Sequence, residues 1–178
     1  MSINIRKIAF SGIVAALYAG LTIAVAPLAY GPIQFRFSEV LCILPFFFPF
    51  SVWGLFVGCI LANIMSTLHI LDVIVGPVAS LLAALCTMWI GKNYDKNRLL
   101  TKALACFPPV IFNAIIIGAL IAYVTIGTDE PVAFIIAFAW VGFGQFVVMY
   151  VLGLPLMIYL SKSPVLDKLM KLYKGELQ

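Results

Sequence analysis

The chain has 178 residues, of which 64% are hydrophobic and 10% charged, with a formal net charge of +4. That leaves too few polar groups to cover a soluble domain, and the length fits one polytopic bundle over residues 1–178 with no separate catalytic domain. The cations flank long apolar runs, so membrane topology accounts for them and nucleic-acid binding is discounted.

Arg6 and Lys7 open the chain ahead of an apolar run ending at Pro27. Ala24-Val25-Ala26 mimics a secretory cleavage site, but Pro27 would follow the cut and apolar spans continue downstream. The run therefore reads as a retained first transmembrane helix. Between residues 9 and 20, Ala9, Gly12, Ala15, Ala16, Ala19 and Gly20 fall within one arc of roughly 140° at about 100° per residue. Phe10, Ser11, Ile13, Val14, Leu17 and Tyr18 take the opposite side. Such a strip of small residues admits a second helix at close range. Gly76, Ala79, Ser80, Ala83 and Ala84 further along the chain offer a matching strip, so docking within the chain and docking onto a partner both remain open.

Residues 40–68 form an uncharged stretch of 29 residues. It reads either as one long tilted helix or as two short ones folded back at Pro45-Phe46-Phe47-Phe48-Pro49. Charge distinguishes the two. Ten of the eleven basic residues form three clusters: Arg6 and Lys7; Lys92, Lys96, Arg98 and Lys102; Lys162, Lys168, Lys171 and Lys174. Short loops rich in Lys and Arg stay cytoplasmic. A single crossing would put the second and third clusters outside, whereas a turn at the two prolines leaves all ten inside, and prolines four apart disrupt successive backbone hydrogen bonds. The expected fold is all-α and integral to the membrane, with six helices at about 8–27, 39–49, 51–68, 72–91, 102–126 and 132–161. Both termini are expected to be cytoplasmic. The loop 92–98 and the basic tail read as solvated segments.

This topology gathers polar groups at the outer face. Tyr30, Gln34, Arg36, Ser38 and Glu39 lie in a first outer loop, His69 and Asp72 in a second, with Asn63 one to two turns below. Gly127-Thr128-Asp129-Glu130-Pro131 forms a third. Charges this close to a span are costly unless paired or functional. A structural reading pairs Arg36 with Glu39 across one helical turn and makes Asp72 a helix cap. A functional reading takes Glu39, Arg36, Asn63 and Asp72 as one ligand-binding face, with Phe35, Phe37 and Tyr30 supplying aromatic planes for a flat polar molecule. Deeper in the spans, Gln145 and Trp140 are candidate ligand contacts, Asn113 less so; intramembrane amides also serve as interhelical glue. The cysteines Cys42, Cys59, Cys86 and Cys106 show no CxxC spacing and read as small buried hydrophobes. His69 has no partner at metal-ligand spacing, so no metal is expected.

The run Ile33-Gln34-Phe35-Arg36-Phe37-Ser38-Glu39-Val40-Leu41 resembles the signature of the QueT family of membrane proteins. So do Gly58-Cys59-Ile60-Leu61-Ala62-Asn63 and Asp72-Val73-Ile74-Val75-Gly76-Pro77, in matching order and spacing. The resemblance covers roughly residues 10–90 well, and the remainder in hydropathy only. It implies the substrate-binding S component of an energy-coupling factor (ECF) transporter in a bacterial plasma membrane, serving queuosine precursors, which are 7-deazaguanine bases. It further implies an outward-facing pocket partly closed by the first outer loop. The strip on helix 1 (Ala15, Ala19, Gly12 and Ala16) would face the transmembrane coupling subunit EcfT, with two ATPase subunits supplying energy.

The chemistry of these residues is compatible with that class. One carboxylate can accept the two adjacent N–H donors of a deazaguanine, and a keto oxygen needs a donor. Glu39 suits the first role and Arg36 or Asn63 the second; Asp72 suits an aminomethyl cation, and the two carboxylates are interchangeable in this scheme. The sequence has no Gly-x-x-x-x-Gly-Lys-Ser/Thr loop, so ATP is expected to be used by partner subunits and no cofactor in this chain. Two readings compete. One is an S component or stand-alone facilitator for another vitamin, such as riboflavin or thiamine. The other is a small intramembrane enzyme using Glu39 and His69 as acid and base.

Overall fold

A computed structural model describes residues 5–30, 34–66, 70–125 and 131–174. Among the described residues every regular element is helical. Helix α1, Ile5–Ala24, breaks at Val25, where Pro27 starts the short α2, Ala26–Ala29. A 3-10 segment, Phe37–Ile43, runs into α3, Leu44–Phe47. The chain leaves the helix at Phe48 and re-enters at α4, Ser51–Asn63, so the interruption falls where two prolines bracket three phenylalanines. Ser51 Oγ closes the turn by donating to the Phe48 carbonyl at 2.7 Å.

Helix α5 spans Asp72–Asn93. Helices α6, Leu99–Ala105, and α7, Phe107–Thr125, join at Cys106, just ahead of Pro108 and Pro109, which lack the N–H a continuous helix needs. Helix α8, Pro131–Val147, passes through a π-helical segment, Val148–Gly153, into α9, Leu154–Lys162. Pro155 at the start of α9 removes one i→i−4 donor there, which favours the wider turn. Four apolar stretches are long enough to cross a bilayer, which takes about 20 residues: Ile5–Ala24, Asp72–Asn93, Leu99–Val124 and Pro131–Lys162. Phe37–Phe47 and Ser51–Asn63 are shorter. This architecture fits a membrane protein.

The two short helices form a hairpin beside α1. Thr22 Oγ1 lies 2.6 Å from Ser38 Oγ, while Ser11 Oγ donates to the Phe50 carbonyl at 2.9 Å, so the descending limb runs antiparallel to α1. Helix α4 then returns along α1 at very close range. A Cβ on Gly54 would lie 2.5 Å from the Ser11 carbonyl oxygen, and one on Gly58 would lie 2.8 Å from that of Ala15. The partner of the helix 1 strip within the chain is therefore this pair of glycines four apart, rather than the Gly76–Ala84 strip, which is buried in α5 between α4 and α7. Burial on α1 follows Ser11, Val14, Ala15, Tyr18, Ala19 and Thr22, drawing from both arcs read in the sequence.

Three basic clusters meet at the end where the hairpin turns. Lys96 Nζ lies 5.6 Å from the ring centre of Phe46, and Lys7 Nζ lies 5.4 Å from that of Tyr173. Lys102 Nζ donates to Ser161 Oγ at 2.7 Å. The basic tail is not a solvated segment as expected. It forms an amphipathic helix α10, Pro164–Lys174, whose Leu166, Leu169, Met170 and Tyr173 pack on the core around Phe48. The Tyr173 hydroxyl accepts the Phe50 N–H at 3.0 Å, fastening the tail to the hairpin turn.

Candidate functional site

At the opposite end, Arg36, Asn63 and Asp72 come together, each at most 1% exposed. Arg36 Nη2 donates to Asp72 Oδ2 at 3.0 Å, and Ser66 Oγ donates to the same oxygen at 2.7 Å. The guanidinium also sits 5.7 Å from the ring centre of Tyr30, whose hydroxyl donates to the Ala62 carbonyl. The Arg36–Glu39 pair expected across a helical turn does not form. Arg36 lies in extended backbone (φ −84°, ψ 91°) ahead of the 3-10 segment, so no helical register aligns the two side chains. Asp72 is likewise no cap: it occupies the first turn of α5 after Leu71, with no side-chain capping bond there.

Asn63 links this pair to the interior. Its Nδ2 donates to the Asp72 carbonyl at 2.8 Å and lies 3.7 Å from Cys59 Sγ. Gly76 makes this possible, because a Cβ there would overlap the Asn63 amide and stand 3.0 Å from Asp72 Oδ1. Ser80 Oγ lies 3.4 Å from Cys59 Sγ and donates to Glu39 Oε1 at 3.3 Å. Tyr18 Oη donates to the same carboxylate oxygen, and Cys42 Sγ to Glu39 Oε2 at 3.0 Å. One polar network thus runs from Asp72 through Asn63, Cys59 and Ser80 to Glu39, drawing on α1, the 3-10 segment, α4 and α5.

Among the described residues several buried side-chain atoms have no hydrogen-bond partner: Asp72 Oδ1, Asn63 Oδ1, Gln34 Nε2 and, on α8, both amide atoms of Gln145. Gln34 also adopts a left-handed backbone (φ 52°), which a non-glycine residue takes up only at a cost. Buried polar groups are ordinarily paired, and Asp72 Oδ1 and the Asn63 amide both lie against Gly76, which makes this spot the candidate ligand contact.

The remaining candidates are placed as follows. Phe35 is partly buried beside Arg36 in sequence, Gln145 is buried on α8, and Trp140 is 47% exposed on that helix, so it is not brought into the network. Asn113 donates to the Pro109 carbonyl one turn back at 3.0 Å. Among the partner-face residues, Ala15 and Ala19 are buried while Gly12 and Ala16 are exposed. His69 and residues 127–130 lie outside the described residues. Tyr18, Ser80, Cys42, Cys59 and Ser66, not singled out as candidates in the sequence, join the network, and the two cysteines are members of it rather than mere apolar filling. A polar tip on an apolar face, as at Tyr18 and Ser80, was the available signal.

The QueT transporter family profile matches residues 8–162. The chain belongs to the QueT family. It is also 31% identical over 145 residues, 78% of this chain and 83% of the relative, to the queuosine precursor transporter QueT of Lactococcus lactis subsp. cremoris (strain MG1363). No solved structure matches it. QueT is a transporter family and not an enzyme family, which sets aside acid–base catalysis by Glu39 and His69. In this QueT-family chain the run around Arg36 and Glu39, the stretch ending at Asn63 and the start of α5 at Asp72 converge on the network just described.

Proposed function

We propose that this chain captures a 7-deazaguanine queuosine precursor at the outer face of a bacterial plasma membrane, as the S component of an ECF importer. The observation that carries the reading is the pair of unpartnered buried acceptors on residues that meet at Gly76, Asp72 Oδ1 and Asn63 Oδ1, with Gln34 Nε2 a further buried donor without a partner. A deazaguanine edge offers adjacent N–H donors and a keto oxygen, which this set complements. Both oxygens of Glu39 already receive donors from Tyr18, Ser80 and Cys42, and Asp72 Oδ2 from Arg36 and Ser66, so the two ligand N–H groups would be shared between Asp72 Oδ1 and Asn63 Oδ1 rather than taken by one carboxylate. Arg36 then orients Asp72, and Tyr30 and Phe35 supply aromatic surface, with the buried unpartnered amide of Gln145 on α8 a further candidate contact. The name of the Lactococcus relative agrees with this substrate class.

The proposed topology has six crossings with both termini cytoplasmic. It is supported by the two directions of the hairpin beside α1 and by the gathering of basic clusters at the end away from Arg36. The sequence has no phosphate-binding loop, so energy would come from two ATPase subunits through EcfT. The face proposed for EcfT is a shallow groove of about 240 Å³ between α1 and α4, lined by Ile8, Ser11, Gly12, Ala15, Phe50, Trp53, Gly54 and Val57. Ala16 lies one turn beyond Gly12 on α1, while Ala15 forms the floor and Ala19 packs inside.

Identification by mass of the small molecule retained by the purified chain, with calorimetry against 7-deazaguanines, riboflavin and thiamine, tests the substrate. Micromolar or tighter binding of a deazaguanine alone is expected, and preferential retention of a different solute overturns the reading. Co-purification of EcfT and ATPase subunits separates an S component from a stand-alone facilitator.

A further inference from the structure

At the end where the basic clusters gather, α1 and α10 enclose a cleft of about 280 Å³. Arg6, Ala9, Phe10 and Ile13 form one wall, Leu169 and Tyr173 the other. The four α1 positions are spaced i, i+3, i+4 and i+7, so they make a single stripe along the helix. Ala9 opens the cleft, because it sets a methyl group where its neighbours on the stripe carry long side chains. The facing wall is held in place by Tyr173, whose ring meets Phe10 edge-on at 5.7 Å and whose hydroxyl accepts the Phe50 N–H at 3.0 Å. Lys7 Nζ lies 5.4 Å from the centre of the same ring. At about 100° per residue, the exposed Lys168 follows Leu169 on the flank away from Met170. Asp167, the acidic residue of this helix, lies on the other flank, past Met170. The cleft is therefore apolar along its walls and positive at its mouth.

A basic end alone follows from membrane topology. An apolar cleft that ends at a guanidinium has in addition the form of a phospholipid, with walls for an acyl chain and a mouth for a phosphate. We propose that the cleft between α1 and α10 holds one anionic phospholipid of the leaflet that the basic clusters face. An acyl chain lies along Ala9 and Ile13 against Leu169, and the phosphate meets Arg6 beside Lys168. A zwitterionic headgroup would bring a further cation among Arg6, Lys7 and Lys168, so the cleft selects lipids of net negative charge. The bound lipid then joins the tail helix to α1, to which α10 is already fastened through Tyr173. This inference is independent of the substrate reading.

The test is native mass spectrometry of the purified full chain with phosphatidylglycerol and phosphatidylcholine of equal chain length. The wild type should retain a single phosphatidylglycerol, bound at least about tenfold more tightly than phosphatidylcholine. Arg6→Gln should bring the two affinities close together. Ala9→Phe should fill the cleft and abolish retention of both, whereas Lys171→Gln, on the part of α10 turned from the cleft, should leave retention intact. The wild-type ratio and Arg6→Gln keep the proposal testable if Ala9→Phe does not fold. Equal affinity of the wild type for the two lipids overturns the charge selection. Graded binding of many lipids, unaffected by folded Ala9→Phe, shows diffuse attraction to the basic end and overturns the site. Dimers that exclude lipid and are lost in Ala9→Phe would give the cleft to a second copy of the chain and overturn it as well.

Discussion

Asp72 holds one oxygen in an ion pair with Arg36 and leaves the other without a partner among the described residues, so stability and the proposed ligand recognition meet in a single carboxylate. Removing one member of a buried pair costs about 3–5 kcal/mol, whereas replacing both with apolar groups is often near neutral. Asp72→Asn and Arg36→Met should each lower the thermal unfolding midpoint in detergent, and Arg36→Met with Asp72→Leu should recover most of the loss while ligand binding stays abolished. Simple addition of the two losses would show that the residues are not coupled. Gly76→Ala tests the network by steric means, since its Cβ would displace the Asn63 amide. Loss of one hydrogen bond to a charged or buried group is worth about 1.5–3 kcal/mol, so calorimetry should show deazaguanine affinity weakened by roughly tenfold to a hundredfold. Unchanged affinity would remove Asn63 from the ligand site. Arg36, Glu39, Asn63 and Asp72 were legible as candidates because charges and amides stand out against apolar spans. Tyr18, Ser80 and Cys59 were not, because their polar atoms are compatible with a lipid-embedded helix and they reach Glu39 or Asn63 only through tertiary packing.

At the scale of elements, α1 and α4 meet through glycines and not through bulky side chains. Gly58→Ala would press a methyl group onto the backbone of Ala15, and overpacking of this kind costs about 1–3 kcal/mol. A lowered unfolding midpoint with reduced ligand binding is the expected outcome, and an unperturbed midpoint would mean that the two helices separate freely. Ala16→Leu, on the exposed side of α1, should leave the midpoint unchanged and instead reduce co-purification of a coupling subunit. Should Ala16→Leu lower the midpoint as much as Gly58→Ala, the exposed strip is structural and the partner surface lies elsewhere. The break at Pro45 and Pro49 was legible in the sequence because proline acts locally on the backbone. The pairing of the helix 1 strip was not, because small residues recur on α4 and α5 and only the return of the hairpin chooses between them. The tail helix escaped notice for a related reason: three lysines stand out in its eleven residues, and its apolar face shows only once Phe10 and Phe48 supply something to pack on.

For the molecule as a whole, the proposed topology places position 129 outside and position 96 inside. Cys42, Cys59 and Cys106 are buried and Cys86 is partly exposed, so a Cys86→Ala background suits labelling. An impermeant thiol reagent applied from outside should modify Asp129→Cys and spare Lys96→Cys; the reverse pattern would overturn the topology and the outer site together. The all-helical fold was legible from hydropathy and the turn at the two prolines from charge, whereas the lengths of the two short helices depended on 3-10 geometry that no periodicity reveals. Those lengths have a mechanical consequence for the surrounding lipid. Seven 3-10 residues followed by four α-helical ones, and the 13 residues of α4, give limbs of about 20 Å each at their respective rises. The hydrocarbon layer is about 30 Å thick. In the proposed six-crossing topology the bilayer would thin beside the exposed Trp53, Val57 and Leu61 of α4, at a cost that grows with each ångström of mismatch. A partner that covers this low wall relieves the deformation, so membrane thickness itself becomes a driving force for assembly, stronger in bilayers of longer acyl chains.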